Sequence, residues 1–77
     1  MFFKMKLRKQ IKRTKDNIAQ LEQKRSRSQA ALVTALLNNT VPRDEEVDYF
    51  NHFSEKIDHE RAHLHELIEQ YEELFKK

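Results

Sequence analysis

Seventy-seven residues, with fifteen Lys and Arg against thirteen Asp and Glu, describe one small domain of formal charge +2, too short to bury a large core without a partner. There is no Gly, one Pro and no Cys, which leaves little material for tight turns or hairpin strands and excludes disulfide staples and thiolate metal sites. Lys, Glu, Gln, Leu, Ala and Arg favour helix along most of the chain, so the expected class is all-α.

The first helix is predicted over about residues 3–38. Its start, KMKLRKQIKRTK, carries Lys4, Lys6, Arg8, Lys9, Lys12, Arg13 and Lys15, with Phe2, Phe3 and Met5 interleaved. Such a run is a candidate footprint for phosphates or nucleic acid, weighed against a solvated basic face. Steps of four and three from Leu7 give a seam of Leu7, Ile11, Thr14, Ile18, Leu21, Arg25, Ser28, Leu32 and Ala35. The stretch LEQKRSRSQAAL breaks that seam, because seven polar residues run from Gln23 to Gln29 and put Arg25 and Ser28 at apolar positions. Toward the end of the helix the pattern reverses. Seven of the eight residues 30–37 are apolar, more than one face can hide.

The only strong punctuation is NNTVPRDEE, residues 38–46. Asn38 and Asn39 suit a helix C-terminus, and Thr40 is expected to cap the following helix, with Pro42 in its first turn. Asp44, Glu45 and Glu46 set negative charge at that helix's positive end. A loop of about 39–42 makes the two helices antiparallel neighbours.

The second helix, about residues 43–76, offers Val47, Phe50, Ser54, Ile57, Arg61, Leu64, Ile68, Tyr71 and Phe75 as its seam. Folding about Val41 pairs Leu7 with Phe75, Ile11 with Tyr71, Ile18 with Leu64, Leu32 with Phe50 and Ala35 with Val47. The architecture predicted is a coiled-coil-like antiparallel two-helix hairpin forming a single domain, expected to assemble into a helical bundle. Ser28 meets Ser54, and Arg25 falls beside Ile57 and Asp58. Glu22, Arg25, Ser28, Ser54, Asp58 and Arg61 are therefore expected to form one polar layer that penalises slipped registers. Residues 1–29 hold ten Lys and Arg against two acids, and residues 30–77 hold five against eleven. The basic start of the first helix should lie beside the acidic end of the second, ELIEQYEEL, and be neutralised there.

Two strings in the second helix look like chemistry. HERAH, His59 to His63, resembles the H-E-x-x-H signature of zinc metallopeptidases, which implies two His ligands one turn apart with a general-base Glu between them. The third ligand would have to be Glu66 on the same helix, so no metal, cofactor or catalytic group is expected. SEKID, Ser54 to Asp58, is similar to the S-x-x-L-D signature of small sporulation-regulating aspartyl-phosphate phosphatases, themselves antiparallel helical hairpins. That resemblance implies that Asp58 engages a phosphorylated response regulator. LIEQY follows at Leu67, seven residues later than in the family. A hairpin with acids near its turn also resembles the coiled-coil arms of Gre transcript-cleavage factors, which would give Asp44, Glu45 and Glu46 a role beyond helix capping.

Val33, Leu36, Leu37, Tyr49 and Phe53 flank the predicted seam near the loop and form the candidate protein-binding surface. The expected function is a non-enzymatic adaptor, inhibitor or regulator that binds a protein partner or further copies of itself. A nucleic-acid binder and an accessory phosphatase are the alternatives. No apolar run approaches the roughly 20 residues a spanning helix needs, and MFFKMKLRK holds too short an apolar block for a signal peptide. A cytoplasmic location away from membranes is therefore expected.

Overall fold

The computed structural model describes residues 2–75, without the side chain of Phe2. Two helices, α1 (Phe2–Leu37) and α2 (Asp44–Glu73), pack against each other as an all-α hairpin. Contacts at two levels fix the antiparallel order. Lys4 Nζ lies 3.8 Å from the ring centre of Phe75 at the open end, and Arg61 Nη2 lies 2.8 Å from Glu22 Oε1 midway along. The predicted boundaries agree with α1 and with the start of α2 to one residue. Helix α2 stops at Glu73, and the predicted end at residue 76 lies outside the described residues.

The turn is built by backbone geometry. Asn39 takes the left-handed conformation at φ 57°, the Asn39 amide donates to Leu36 O at 3.1 Å, and the Thr40 amide donates to Ala35 O at 2.9 Å. This pair of bonds is a Schellman motif, which closes the carbonyls left open at a helix end. Thr40 also gives its hydroxyl to Ala35 O at 2.9 Å, so it serves the end of α1 and not, as the sequence suggests, the start of α2. Arg43 occupies the N-cap of α2 without a side-chain hydrogen bond, and Pro42 precedes the helix instead of entering its first turn. Asp44, Glu45 and Glu46 stand in that first turn, where the helix dipole favours them. Replacing Asn39 by Val should cost about 1–2 kcal/mol, because a side chain branched at Cβ is poorly tolerated at this φ. Asn39→Gly should be neutral or slightly stabilising. Urea melts of the two variants check both results.

The seam of α1 follows its predicted phase. Leu7, Thr14 and Ile18 are buried, with Ile11, Leu21, Arg25, Ser28, Leu32 and Ala35 half-buried. Thr14 is tolerated there because its hydroxyl donates to Gln10 O at 2.8 Å.

The phase of α2 differs from the prediction at every second position. The inward line runs Glu46, Phe50, Phe53, Ile57, Glu60, Leu64, Leu67 and Tyr71. Val47, Arg61 and Phe75 are exposed, and Ser54 and Ile68 sit half-buried at the edge. Leu7 is therefore buried without Phe75 as its seam partner. The ring of Phe75 stands 5.1 Å from that of Tyr71, with Lys4 over it.

Burial is uneven along the rod. Ile57 is fully enclosed, and Leu7, Ile18 and Leu67 are nearly so, yet none of residues 19–56 is buried. The molecule measures 59 × 16 × 15 Å with a radius of gyration of 17.4 Å, against about 11–12 Å for a compact chain of this length. Its accessible surface of 6569 Å² exceeds the roughly 5,000 Å² typical of a folded monomer of the same mass. No helix among the described residues is long and apolar enough to cross a membrane.

Candidate protein-docking surface

The loop-proximal half carries a concentration of uncovered apolar side chains. Leu37 is 78% exposed, Leu36 65%, Tyr49 61% and Val41 91%, while Val33 and Val47 are exposed to a lesser degree. The physical reason is the pattern of residues 30–37, apolar almost all round on a helix that has a neighbour on one side only. Phe53 departs from the expectation. It belongs to the seam, half-buried, with its ring 6.4 Å from that of Tyr49 and 5.7 Å from that of His52.

Residues seven apart on a helix share a face, because seven residues make nearly two turns. The Glu22–Arg61 contact therefore marks one flank of the hairpin, and two further heptads carry that flank to Leu36 on α1 and Val47 on α2. Val33, one turn before Leu36, lies on the same side. Toward the open end the flank becomes a groove lined by Arg8, Lys12 and Lys15 of α1 and by Ile68 and Tyr71 of α2. The opposite flank is more polar, with Leu21 the apolar side chain in its groove. Its groove is lined by Asn17, Gln20 and Lys24 and by His52, Glu55 and His59. Tyr49 borders a hollow with His52, Glu45 and Asp48, which places it on this second flank. Val33, Leu36, Leu37, Tyr49 and Phe53 are therefore not one patch. Val33 and Leu36 share a flank with Val47, Tyr49 faces the other way, and Phe53 lies between the helices.

The expected polar layer is reduced to a single link. Arg61 donates to Glu22 across the helices with both side chains about half exposed, a pair worth at most about 1 kcal/mol. Arg25, Ser28 and Ser54 are half-buried, whereas Asp58 is exposed and makes no ion pair with Arg25. The shifted phase of α2 explains this, because it turns Asp58 and Arg61 outward and brings Glu60 toward the seam.

The basic start of α1 lies at the same end as the acidic end of α2, but the charges do not meet as predicted. Lys6, Arg8, Lys9, Lys12, Arg13 and Lys15 are exposed and form no ion pair with Glu66, Glu69 or Glu72. Glu66, Glu69 and Glu72 instead line an acidic hollow on the outside of α2. His59, His63 and Glu66 of the HERAH region are exposed. Among the described residues no group of three or more His, Cys, Asp or Glu side chains is placed to hold a metal ion.

Scans against protein-family models, curated proteins and solved structures return no match for this chain. The functional argument therefore rests on the surface itself.

Proposed function

We propose that this hairpin is a protein-binding module, an adaptor, inhibitor or regulator without catalysis of its own, docking through its loop-proximal end. The observation that supports the reading is the coincidence, in one half of the rod, of an unburied seam with exposed Leu36, Leu37, Val33 and Val47. Contiguous apolar surface left open in a small chain is the usual mark of an interface. The test is a comparison of wild type with the Val33→Asp/Leu36→Asp variant as bait. Both side chains are already in water, so helicity should hold while the captured partner, or the self-associated mass, is lost. Unchanged capture and mass in a folded variant would overturn the reading.

The second reading, phosphate or nucleic-acid binding by Lys6, Lys9, Lys12 and Arg13, is favoured by their freedom from ion pairs with the acidic end of α2. Binding to generic DNA that falls steeply with salt supports this reading. No binding at low salt removes it.

A further inference from the structure

We infer that the docking partner is a second copy of this chain, seated on the Glu22–Arg61 flank with both hairpins pointing the same way. This rests on the protein-binding reading above and names its occupant. The first support is the contrast between the flanks. Met5 and Val33 lie on the outer rim of the Glu22–Arg61 flank, and Leu36, Val47, Ile68 and Phe75 follow its inner line at heptad spacing. Five of these six are exposed. The other flank presents Asn17, Gln20, His52 and His59, with Leu21 in its groove and two exposed apolar side chains, Tyr49 and Phe3. Exposed apolar side chains are thus more numerous on the Glu22–Arg61 flank, where a flat, rod-long contact can cover them.

The second support is area. The rod exposes 6569 Å², about 1,500 Å² more than a compact monomer of its mass. Permanent homodimers bury about 1,000–2,500 Å² per chain, so one flank-to-flank contact hides an amount of the right order. Two hairpins stacked this way make a four-helix bundle, in which each helix has two neighbours.

Charge selects the orientation. A two-fold axis along the rod sets α1 of one copy over α2 of the other. Glu22 then faces the other copy's Arg61, giving a ring of four alternating charges around the intramolecular pair. At the loop end Leu36 faces the other copy's Val47, and at the open end Arg8 faces Phe75, a cation against an aromatic ring. A two-fold axis across the rod sets α1 over α1. At full overlap Glu22 then opposes Glu22, Arg61 opposes Arg61, and Leu36 is laid against Arg8. Like charges at the two central positions penalise that arrangement. The first lays Lys15 against Ile68, a cost of the same kind as Leu36 on Arg8, so the Glu22–Arg61 layer decides between them.

Sedimentation equilibrium of the chain at tens of micromolar should return twice its mass of 9.4 kDa. Leu36→Asp, which enters the symmetric contact twice, should raise the dimer dissociation constant about 100-fold or more. Orientation is read by cross-linking, made clean because the chain has no Cys. A mixture of Leu36→Cys and Val47→Cys chains should oxidise to the mixed dimer in high yield, and a mixture of Leu36→Cys and Arg8→Cys chains should not. The reverse yields overturn the parallel orientation. A monomeric wild type overturns self-assembly, and the bait comparison above then reports separately whether the loop end docks on a different protein.

Discussion

Ile57→Ala is expected to leave most of the chain unfolded at room temperature. Among the described residues Ile57 is the one fully enclosed side chain, and it stands near the middle of the rod where no neighbouring level is buried. Truncating a packed Ile to Ala costs about 2–5 kcal/mol, and a single core in a chain of this size rarely supplies more than about 3–5 kcal/mol. The loss therefore approaches the whole stability of the hairpin. Circular dichroism at 25 °C should show the helical signal collapse, whereas Val47→Ala, at a largely open position of the same helix, should change a dilute-solution melt by less than about 1 kcal/mol. A cooperative melt of Ile57→Ala near the wild-type temperature would show that the core lies elsewhere.

The second large effect has the opposite sign. Arg25→Leu combined with Ser28→Leu should raise the melting temperature by about 10 °C. Both positions belong to the α1 seam and are half-buried, and Arg25 has no ion-pair partner among the described residues, so its removal strands no buried opposite charge. Half-covering each new Leu gains about 1 kcal/mol, and in a domain this small each kcal/mol moves the midpoint by about 4–8 °C. The same change makes the seam continuous, so slipped pairings lose their penalty and more than one oligomer should appear in sedimentation. A double variant that melts lower and remains a single species contradicts this account.

The first helix was legible because its apolar residues admit one phase. From Leu7 to Leu21 each step of three or four finds an apolar side chain or Thr14, and the structure turns that line inward, buried or half-buried. The second helix was not, because its apolar residues come as neighbours: Leu67 beside Ile68, and Leu74 beside Phe75. Two phases share Phe50, Ile57, Leu64 and Tyr71, and the positions that separate them score about equally. Val47, Ser54, Arg61, Ile68 and Phe75 stand on one side, Glu46, Phe53, Glu60, Leu67 and Leu74 on the other, three apolar residues each. Only packing against α1 breaks the tie, and it turns Glu60 inward and Arg61 outward. Every flank assignment on α2 depends on that phase, so the polar layer and the docking patch inherited the error. The turn was half legible. Asn39 announces a left-handed residue, whereas the direction in which Thr40 spends its hydroxyl depends on where the Ala35 carbonyl ends up.

The distribution of burial along the rod sets the order in which the hairpin opens and closes. Contacts beside the Schellman turn close short loops, and those between Leu7 and the end of α2 close nearly the whole chain, so entropy favours zipping from the turn. Yet the enclosed side chains, Leu7, Ile18, Ile57 and Leu67, all lie from the middle toward the open end. The segment that is cheapest to form is thus the least protected once formed. Native-state hydrogen exchange in dilute solution should run fastest through residues 28–37 and 44–54 and slowest around Ile18 and Leu64. Mutations near the turn should act chiefly on the folding rate, and those near the open end on the unfolding rate. In this chain the hinge of the hairpin is the soft end, and whatever covers it clamps the half that the hairpin leaves loose.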